Sequence, residues 1–500
     1  MAMPRRLLRG EITYSSAKLD ETNILHKLTL WEERNKFFNY THCKRYLIQT
    51  IAAHHLGLST KENCRISGPD DWLHGSFNLC IPITVESGNN RLDQRLIIRF
   101  PLPYRVGEAF RPGNADEKLR CEAGAYAWLQ ENCPDVPIPY LFGFGLSTGQ
   151  SLLKTYQSSP AAFTMSAAKF SHGLDIRSPP GVGYLLLEYI DESQGKMLSC
   201  TWSQKSQEVK LRNNLFRSLS RIFLSFSRVP LSRIGSFTIG DDGVLRLINR
   251  PLSLEIQDLE NEHIPVDIPR TTTYSTVDSY VTDILAFHDS RLRYQPNAIN
   301  SLEDGLYQMA ALKTMKAIYP HFFQPELRRG PFVFCLTDLH QSNLFVDDQW
   351  TFTKVVDLEW AFSRPVEMLH PPYWLISQPV DGIDAHEYEK LHQEFLDALE
   401  DEERRFAPQE PGKPLLSGIL RQGWKTGTFW YFLALDSPTG LFGLFYDHIQ
   451  PRFANFFGIM KCYWSIDADS FIKAKIKDKE DYDLKLGQEF GLNIQPTSQL

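Results

Sequence analysis

Between residues 335 and 360 the chain reads CLTDLHQSNLFVDDQWTFTKVVDLEW, and this segment limits the possible folds more than any other. Three short apolar runs, 332–336, 344–346 and 353–356, have the length and β-type composition of strands. Asp338, His340 and Asn343 occupy the polar loop between the first two, and Asp357 follows the third. Two acids and an asparagine are thus presented at strand ends, a common location for catalytic groups. The spacing predicts three oxygen-bearing side chains that flank a β-hairpin and converge at the mouth of a groove.

Oxygen-only side chains in this order suit phosphoryl transfer. One carboxylate accepts or orients the proton of an attacking hydroxyl, while an amide oxygen and a second carboxylate hold Mg²⁺ against phosphate oxygens. Asp338 precedes Asn343 by five residues and Asp357 by nineteen, the order of a kinase catalytic loop followed by its metal-binding aspartate. Asp338 and Asn343 alone would also serve as turn residues satisfying backbone groups. Asp357 at a further strand end favours the chemical reading. His340 is expected to orient the loop through a backbone hydrogen bond rather than to bind metal, and Glu359 to assist the metal or form a salt bridge.

The rest of the chain shows no solenoid-period repeat and no low-complexity tract. Residues 1–70 hold predicted helices at 23–40 and 44–56 and read as an N-terminal extension. Ser67-Gly68-Pro69-Asp70-Asp71 ends it as a loop. Residues 71–190 read as a strand-rich lobe, with strands at 76–85, 95–100, 140–146 and 184–190 and a turn at 86–90. One helix, at 116–132, carries Leu119, Ala123, Tyr126 and Ala127 on one face. Residues 191–500 read as a larger lobe, with helices at 211–226, 277–285, 304–318, 388–399 and 469–486 and a loop-like stretch at 231–275. His288-Asp289-Ser290-Arg291 follows one of these helices, where surface packing is favoured over a substrate role.

The string Thr337-Asp338-Leu339-His340-Gln341-Ser342-Asn343, followed by Val356-Asp357, resembles the signature of the aminoglycoside phosphotransferase family: H-G-D-L-H-x-x-N, an apolar run, then an apolar–Asp pair. With Pro365-Val366-Glu367-Met368 and Pro371-Pro372-Tyr373-Trp374 the wording is similar to a large fungal branch of that family, mostly without assigned substrate. The resemblance spans residues 70–375. It implies an α+β, bilobal, protein-kinase-like fold: a small antiparallel-sheet N-lobe (71–190) and a larger, mainly helical C-lobe (191–500) with the catalytic loop at 335–360. It further implies ATP and Mg²⁺, with Asp338 as catalytic base and Asn343 and Asp357 as metal ligands. Ser76 and Asn78, in Gly75-Ser76-Phe77-Asn78, fall at the nucleotide-covering turn. Arg99 stands where kinases keep a phosphate-gripping lysine, Glu122 is its ion-pair partner, and Glu188 and Ile190 lie on the strand where backbone groups would meet adenine.

The chain departs from the family wording in three places. Arg99 replaces lysine, and a planar guanidinium is no drop-in for a compact ammonium. Leu336 stands at the first histidine and Thr337 at the glycine. No G-x-G-x-x-G or Walker sequence is present.

Two functions are therefore carried forward: a phosphotransferase acting on a hydroxyl of a small molecule, and a pseudokinase that keeps the fold as a binding or scaffolding module. A protein kinase is disfavoured, because 357–367 leaves no room for an activation segment and no A-P-E follows. The acceptor is not legible, since substrate walls in such folds come from helical insertions, here 200–330 and 380–480. A net charge of −7 from 53 basic and 60 acidic residues gives no global attraction for nucleic acid or anionic membranes. Eight cysteines without C-x-x-C spacing point to a reducing compartment. The start, MAMPRRLLRG, has no signal-peptide core, and no apolar run approaches ~20 residues. A cytoplasmic location is expected, with a mitochondrial presequence built on Arg5, Arg6 and Arg9 as the alternative. Oligomeric state is not encoded in any motif.

Overall fold

The computed structural model describes residues 3–58, 63–86, 94–154, 165–168, 181–406, 414–453 and 467–492. It has the expected α+β composition, with a smaller, sheet-rich lobe and a larger, mainly helical one. The small lobe is built on an antiparallel sheet whose strands lie in the order Cys64–Ile66, Asn78–Val85, Gln94–Pro101, Tyr184–Glu188, Leu141–Gly145, Ser151–Lys154 and Met165–Ala168. Most of the turn expected at 86–90 lies outside the described residues.

Strand alternation decides what faces the cleft. Successive side chains point to opposite faces. Leu79, Ile81 and Ile83 on one strand and Leu96, Ile98 and Phe100 on the next therefore pack together, under Ile48, Ile51 and Ala52 of the helix Arg45–His55. Their alternates, Cys80 and Arg99, are cross-strand partners on the other face, with Leu185 opposite Arg99 on the third strand. Arg99 is thus aimed away from that core, toward Glu122, Asp357 and Glu359, by the same pattern that buries its neighbours.

The extension expected over residues 1–70 needs correcting at its end. Cys64–Ile66 is an edge strand paired with residues 83–85, and Arg45–His55 forms the outer layer of the small lobe. The part before it turns to the other end of the chain. Ala17 and Ile24 pack against Tyr482, Leu486 and Phe490, and the Ile24 N–H donates to the Tyr482 hydroxyl at 2.9 Å.

In the larger lobe Phe332–Leu336 pairs with Ala361–Pro365, and Leu344–Val346 pairs with Phe352–Val355. The stretch 231–275, expected as loop, holds a hairpin of Ser236–Ile239 with Leu245–Asn249 and the helix Leu254–Asn261. The hairpin packs on the helix Asn114–Asn132, where Gly124 is required: a Cβ there would lie 2.5 Å from the Phe237 carbonyl oxygen. Among the described residues no helix is long and apolar enough to cross a membrane.

The helix expected at 277–285 runs on to Tyr294, because His288 and Arg291 are buried in it rather than ending it. His288 Nε2–H donates to the Leu435 carbonyl at 2.8 Å, and burial pushes its pKa down to about 4 from 6.5. Above the unfolded value the ring is neutral in both states. As pH falls from there toward the folded value, the unfolded chain takes a proton that the folded chain refuses, so stability is lost. In urea titrations at about pH 7.5 and about pH 5, wild type is expected to lose more stability on acidification than His288→Gln. The difference is at most about 1.4 kcal/mol per pH unit. Equal losses would mean that His288 does not titrate as described.

Candidate active site

The loop after Phe332–Leu336 is closed by its own polar groups. His340 N–H bonds the Asp338 carbonyl at 2.9 Å, and Asn343 N–H bonds that of His340 at 2.9 Å. The His340 ring caps the short turn Gln341–Asn343 by accepting from Ser342 N–H. Thr337, in the position of the family's glycine, ties the strand end across to Trp360 by donating from Oγ1 to its carbonyl at 2.6 Å.

These contacts join Asn343 to Asp338 and tether the backbone that leads to Asp357. Asn343 Nδ2 donates to the Asp338 carbonyl at 2.9 Å and to its Oδ2 at 3.4 Å, which leaves the amide oxygen as the end available to a cation. Val356, the residue just before Asp357, is fastened to the same loop, its N–H bonding the Asn343 carbonyl at 2.9 Å, while Val355 N–H bonds the Pro137 carbonyl at 2.7 Å. Asp357 follows with φ of +65°, a left-handed conformation uncommon outside glycine and often found at functional sites. Burial pushes the Asp338 carboxyl up to about 8, with the charges of Asp357, Glu359 and Glu255 adding to it.

Behind Asp357 lies a buried charge cluster. Arg99 donates to Glu122 at 2.9 Å, to Glu359 at 2.9 Å, and to Asp357. Lys118, one helical turn before Glu122 and 0% exposed, is bound to Glu359 and donates to Asn78 Oδ1 at 2.8 Å. Asn78 Nδ2 completes the ring at Glu359 Oε2, 2.6 Å away. Two cations thus face three carboxylates. Burial works against charge on Glu359, but Lys118 and Arg99 outweigh it and hold the acid below its usual range. Burial wins at Asp357, whose pKa is raised despite Arg99. The side chains of Glu122 and Glu359 are sealed at 0% and 2%, whereas Asp357 keeps 28% open. Of the three acids, Asp357 is the one an incoming cation can reach.

Lys118 was not among the sequence candidates. Its spacing of four residues from Glu122 on one helix is the signal that would have found it. Ser76 is not brought into the cluster: it is exposed on the outer side of its turn, and its carbonyl accepts from Arg105 Nε at 3.0 Å. Phe77 beside it packs edge-on against Trp360, with ring centres 5.1 Å apart. Glu188 is engaged at the lobe junction, where Lys354 donates to it at 2.8 Å and Tyr140 N–H at 3.0 Å; Ile190 is half-buried just beyond.

Asp338 opens on a cavity of about 420 Å³. One wall is a face of the helix Leu254–Asn261 and its cap, carrying Glu255, Asp258 and Glu262. Burial pushes Glu255 and Glu262 up to about 7 and raises Asp258. Opposite, Arg364 is matched by Asp436 at 2.6 and 2.8 Å, and Trp374 is fixed by donating to the Leu339 carbonyl at 2.7 Å. Thr22, from the N-terminal segment, borders the cavity with Arg291 and Gln295.

The donor set suits magnesium. Among the described residues no group of three or more His, Cys, Asp or Glu could hold a metal ion by itself. A site with one or two protein oxygens, completed by water and phosphate, is the way Mg²⁺ is usually held. Asn343 and the accessible Asp357 are the residues that could supply that pair.

No family model and no curated protein matches the chain. Among solved structures, a Ralstonia eutropha JMP134 protein provisionally described as an aminoglycoside phosphotransferase aligns with 85% of this chain and 93% of its own, at 11% identity and a TM-score of 0.38. A likeness that loose assigns no activity.

Proposed function

We propose that the chain is an ATP- and Mg²⁺-dependent phosphotransferase acting on a hydroxyl group of a small molecule. The observation that carries this reading is the placement of Asp338, hydrogen-bonded to Asn343 and within the field of Asp357, at the mouth of the cavity. In the reaction the acceptor oxygen forms a bond to the γ-phosphorus, the bond to the β–γ bridging oxygen breaks, and ADP leaves. Asp338 takes the hydroxyl proton. Asn343 and Asp357 would hold Mg²⁺. Bound there, the ion would offset phosphate charge and the Asp357 charge that helps keep Asp338 protonated. Arg99 positions Asp357 directly, and Glu122 and Glu359, the latter held by Lys118, position Arg99.

The acidic wall selects among acceptors. Glu255, Asp258 and Glu262 favour an alcohol that also carries an amino group, so amino alcohols and amino sugars should turn over faster than neutral polyols of equal size. A coupled ADP-release screen tests this, and faster turnover of neutral polyols would remove the wall from the account.

A second reading, a pseudokinase, is favoured by one contact: the guanidinium of Arg99 already holds Asp357. Thermal shift with ATP, with and without Mg²⁺, bears on both. A ligand at 100 times its dissociation constant stabilises by about 2.7 kcal/mol. We expect a magnesium-dependent rise in wild type that is lost in Asp357→Ala. A rise without acceptor-dependent ADP release across the panel would favour the pseudokinase, and no rise at all would remove the nucleotide site from both readings.

A further inference from the structure

A second hollow, of about 220 Å³, lies between the N-terminal segment and the turn at Gly75 and Ser76. Its lining has no carboxylate. It holds Arg9, Lys27, Arg34 and Arg105, with His74, against an apolar side of Leu7, Leu30, Leu102 and Tyr104. In a chain of net charge −7 this is a concentrated patch of the opposite sign.

Of the four cations only Arg105 has an ion-pair partner among the described residues, and Arg34 stacks on the rings of Trp31 and Phe38 at 4.9 and 4.3 Å. Arg105 reaches Asp258 at 3.2 Å and the Ser76 carbonyl at 3.0 Å. Arg34 spends its bonds on Asn35 Oδ1 at 3.3 Å and on His74 Nε2 at 3.2 Å, while its Nε is buried without a partner. Because a guanidinium can only donate, the His74 ring must accept from it and is therefore neutral. Burial, with Arg34 and Arg9, pushes the His74 pKa down, as a positive field should. Arg9 and Lys27 make no ion pair among the described residues. Like charges held in a concavity repel one another, and a bound anion removes that cost. Guanidinium groups are matched in shape and hydrogen-bond geometry to phosphate oxygens.

We propose that this hollow is a binding site for a compact phosphate-bearing anion, separate from the candidate active site. Arg9, Lys27 and Arg34 grip the phosphate, and the leucines and Tyr104 face the remainder of the ligand. The volume of about 220 Å³ suits a phosphate monoester of a few carbons. Arg105 bonds both the Ser76 turn and Asp258 of the acceptor wall, so the site is wired to the cavity through one side chain.

The test is calorimetric titration of the full chain, without Mg²⁺, with inorganic phosphate and with glycerol 3-phosphate. Wild type, Arg9→Ala/Lys27→Ala, the charge-preserving Arg9→Lys/Lys27→Arg, and Asp357→Ala are compared. We expect submillimolar binding that weakens at least about tenfold in the alanine double variant, the loss of two phosphate contacts, and that persists in the charge-preserving variant and in Asp357→Ala. Equal affinity for the two probes assigns the site to free phosphate, and tighter binding of the monoester assigns it to a phosphorylated small molecule. No binding to wild type, binding unchanged in a folded alanine double variant, or binding changed by Asp357→Ala would each overturn the proposal.

Discussion

Asp338→Asn is expected to lower acceptor-dependent ADP release by about 10²–10⁴-fold, the usual contribution of a positioned general base. The amide keeps the size of the side chain and removes its ability to take a proton. Magnesium-dependent ATP binding, proposed to rest on Asn343 and Asp357, should survive. The folded state should be no less stable and gain ground above about pH 4, because a carboxyl held near 8 by burial destabilises the fold wherever the unfolded chain ionises it. The measurement pairs steady-state rates with a melting curve on the same preparation. A variant that turns over at the wild-type rate would remove Asp338 from the chemistry.

Arg250→Met is expected to cost about 3–5 kcal/mol of stability, the penalty for leaving buried acids without their partner. Arg250 is 2% exposed and binds two carboxylates at once, Glu117 at 2.8 and 2.9 Å and Glu260 at 2.8 and 3.0 Å. Arg270 supports Glu117 at 3.0 Å, and Asn114 supports Glu260 at 2.8 Å. The arginine therefore clamps the helix that carries Lys118 and Glu122 to the helix that carries the acidic cavity wall. Urea denaturation should show the loss as a lowered midpoint. Arg250→Lys should recover part of it, because an ammonium restores charge but not both forks. A Met variant with an unchanged midpoint would show that the clamp holds nothing.

The catalytic strands were legible because their apolar runs are short, β-rich and bounded by polar loops. Phe332–Leu336 and Leu344–Val346 lie at the residues expected. The helix Ala385–Phe406 was legible through the spacing of Tyr388, Leu391, Phe395 and Leu399 in a charged sequence. Thr428–Leu435 was not: all eight residues, TFWYFLAL, are buried, so no polar face marks the turns. The hairpin at 236–249 was missed although its alternating strands, SFTI and LRLIN, flank an Asp-Asp-Gly turn of the kind that marks a hairpin. Arg99 with Glu122 could be anticipated from a resemblance, but the third partner, Glu359, and the buried Lys118 come together only through the cross-lobe fold. Both hollows are lined by segments far apart in sequence, which no local pattern records.

The clasp between the two ends of the chain has a consequence for biosynthesis. Ile24 meets Tyr482 only 458 residues later in translation, and Lys475 fastens the carbonyls of Arg293 and Gln295 at 3.1 and 2.9 Å while Gln295 in turn holds the Glu21 carbonyl at 2.6 Å. On the ribosome, the apolar side of the segment bearing Ala17 and Ile24 therefore waits uncovered until residues 468–490 have emerged. Nascent chains halted before residue 468 should leave Ala17 and Ile24 without their cover and be drawn to chaperones.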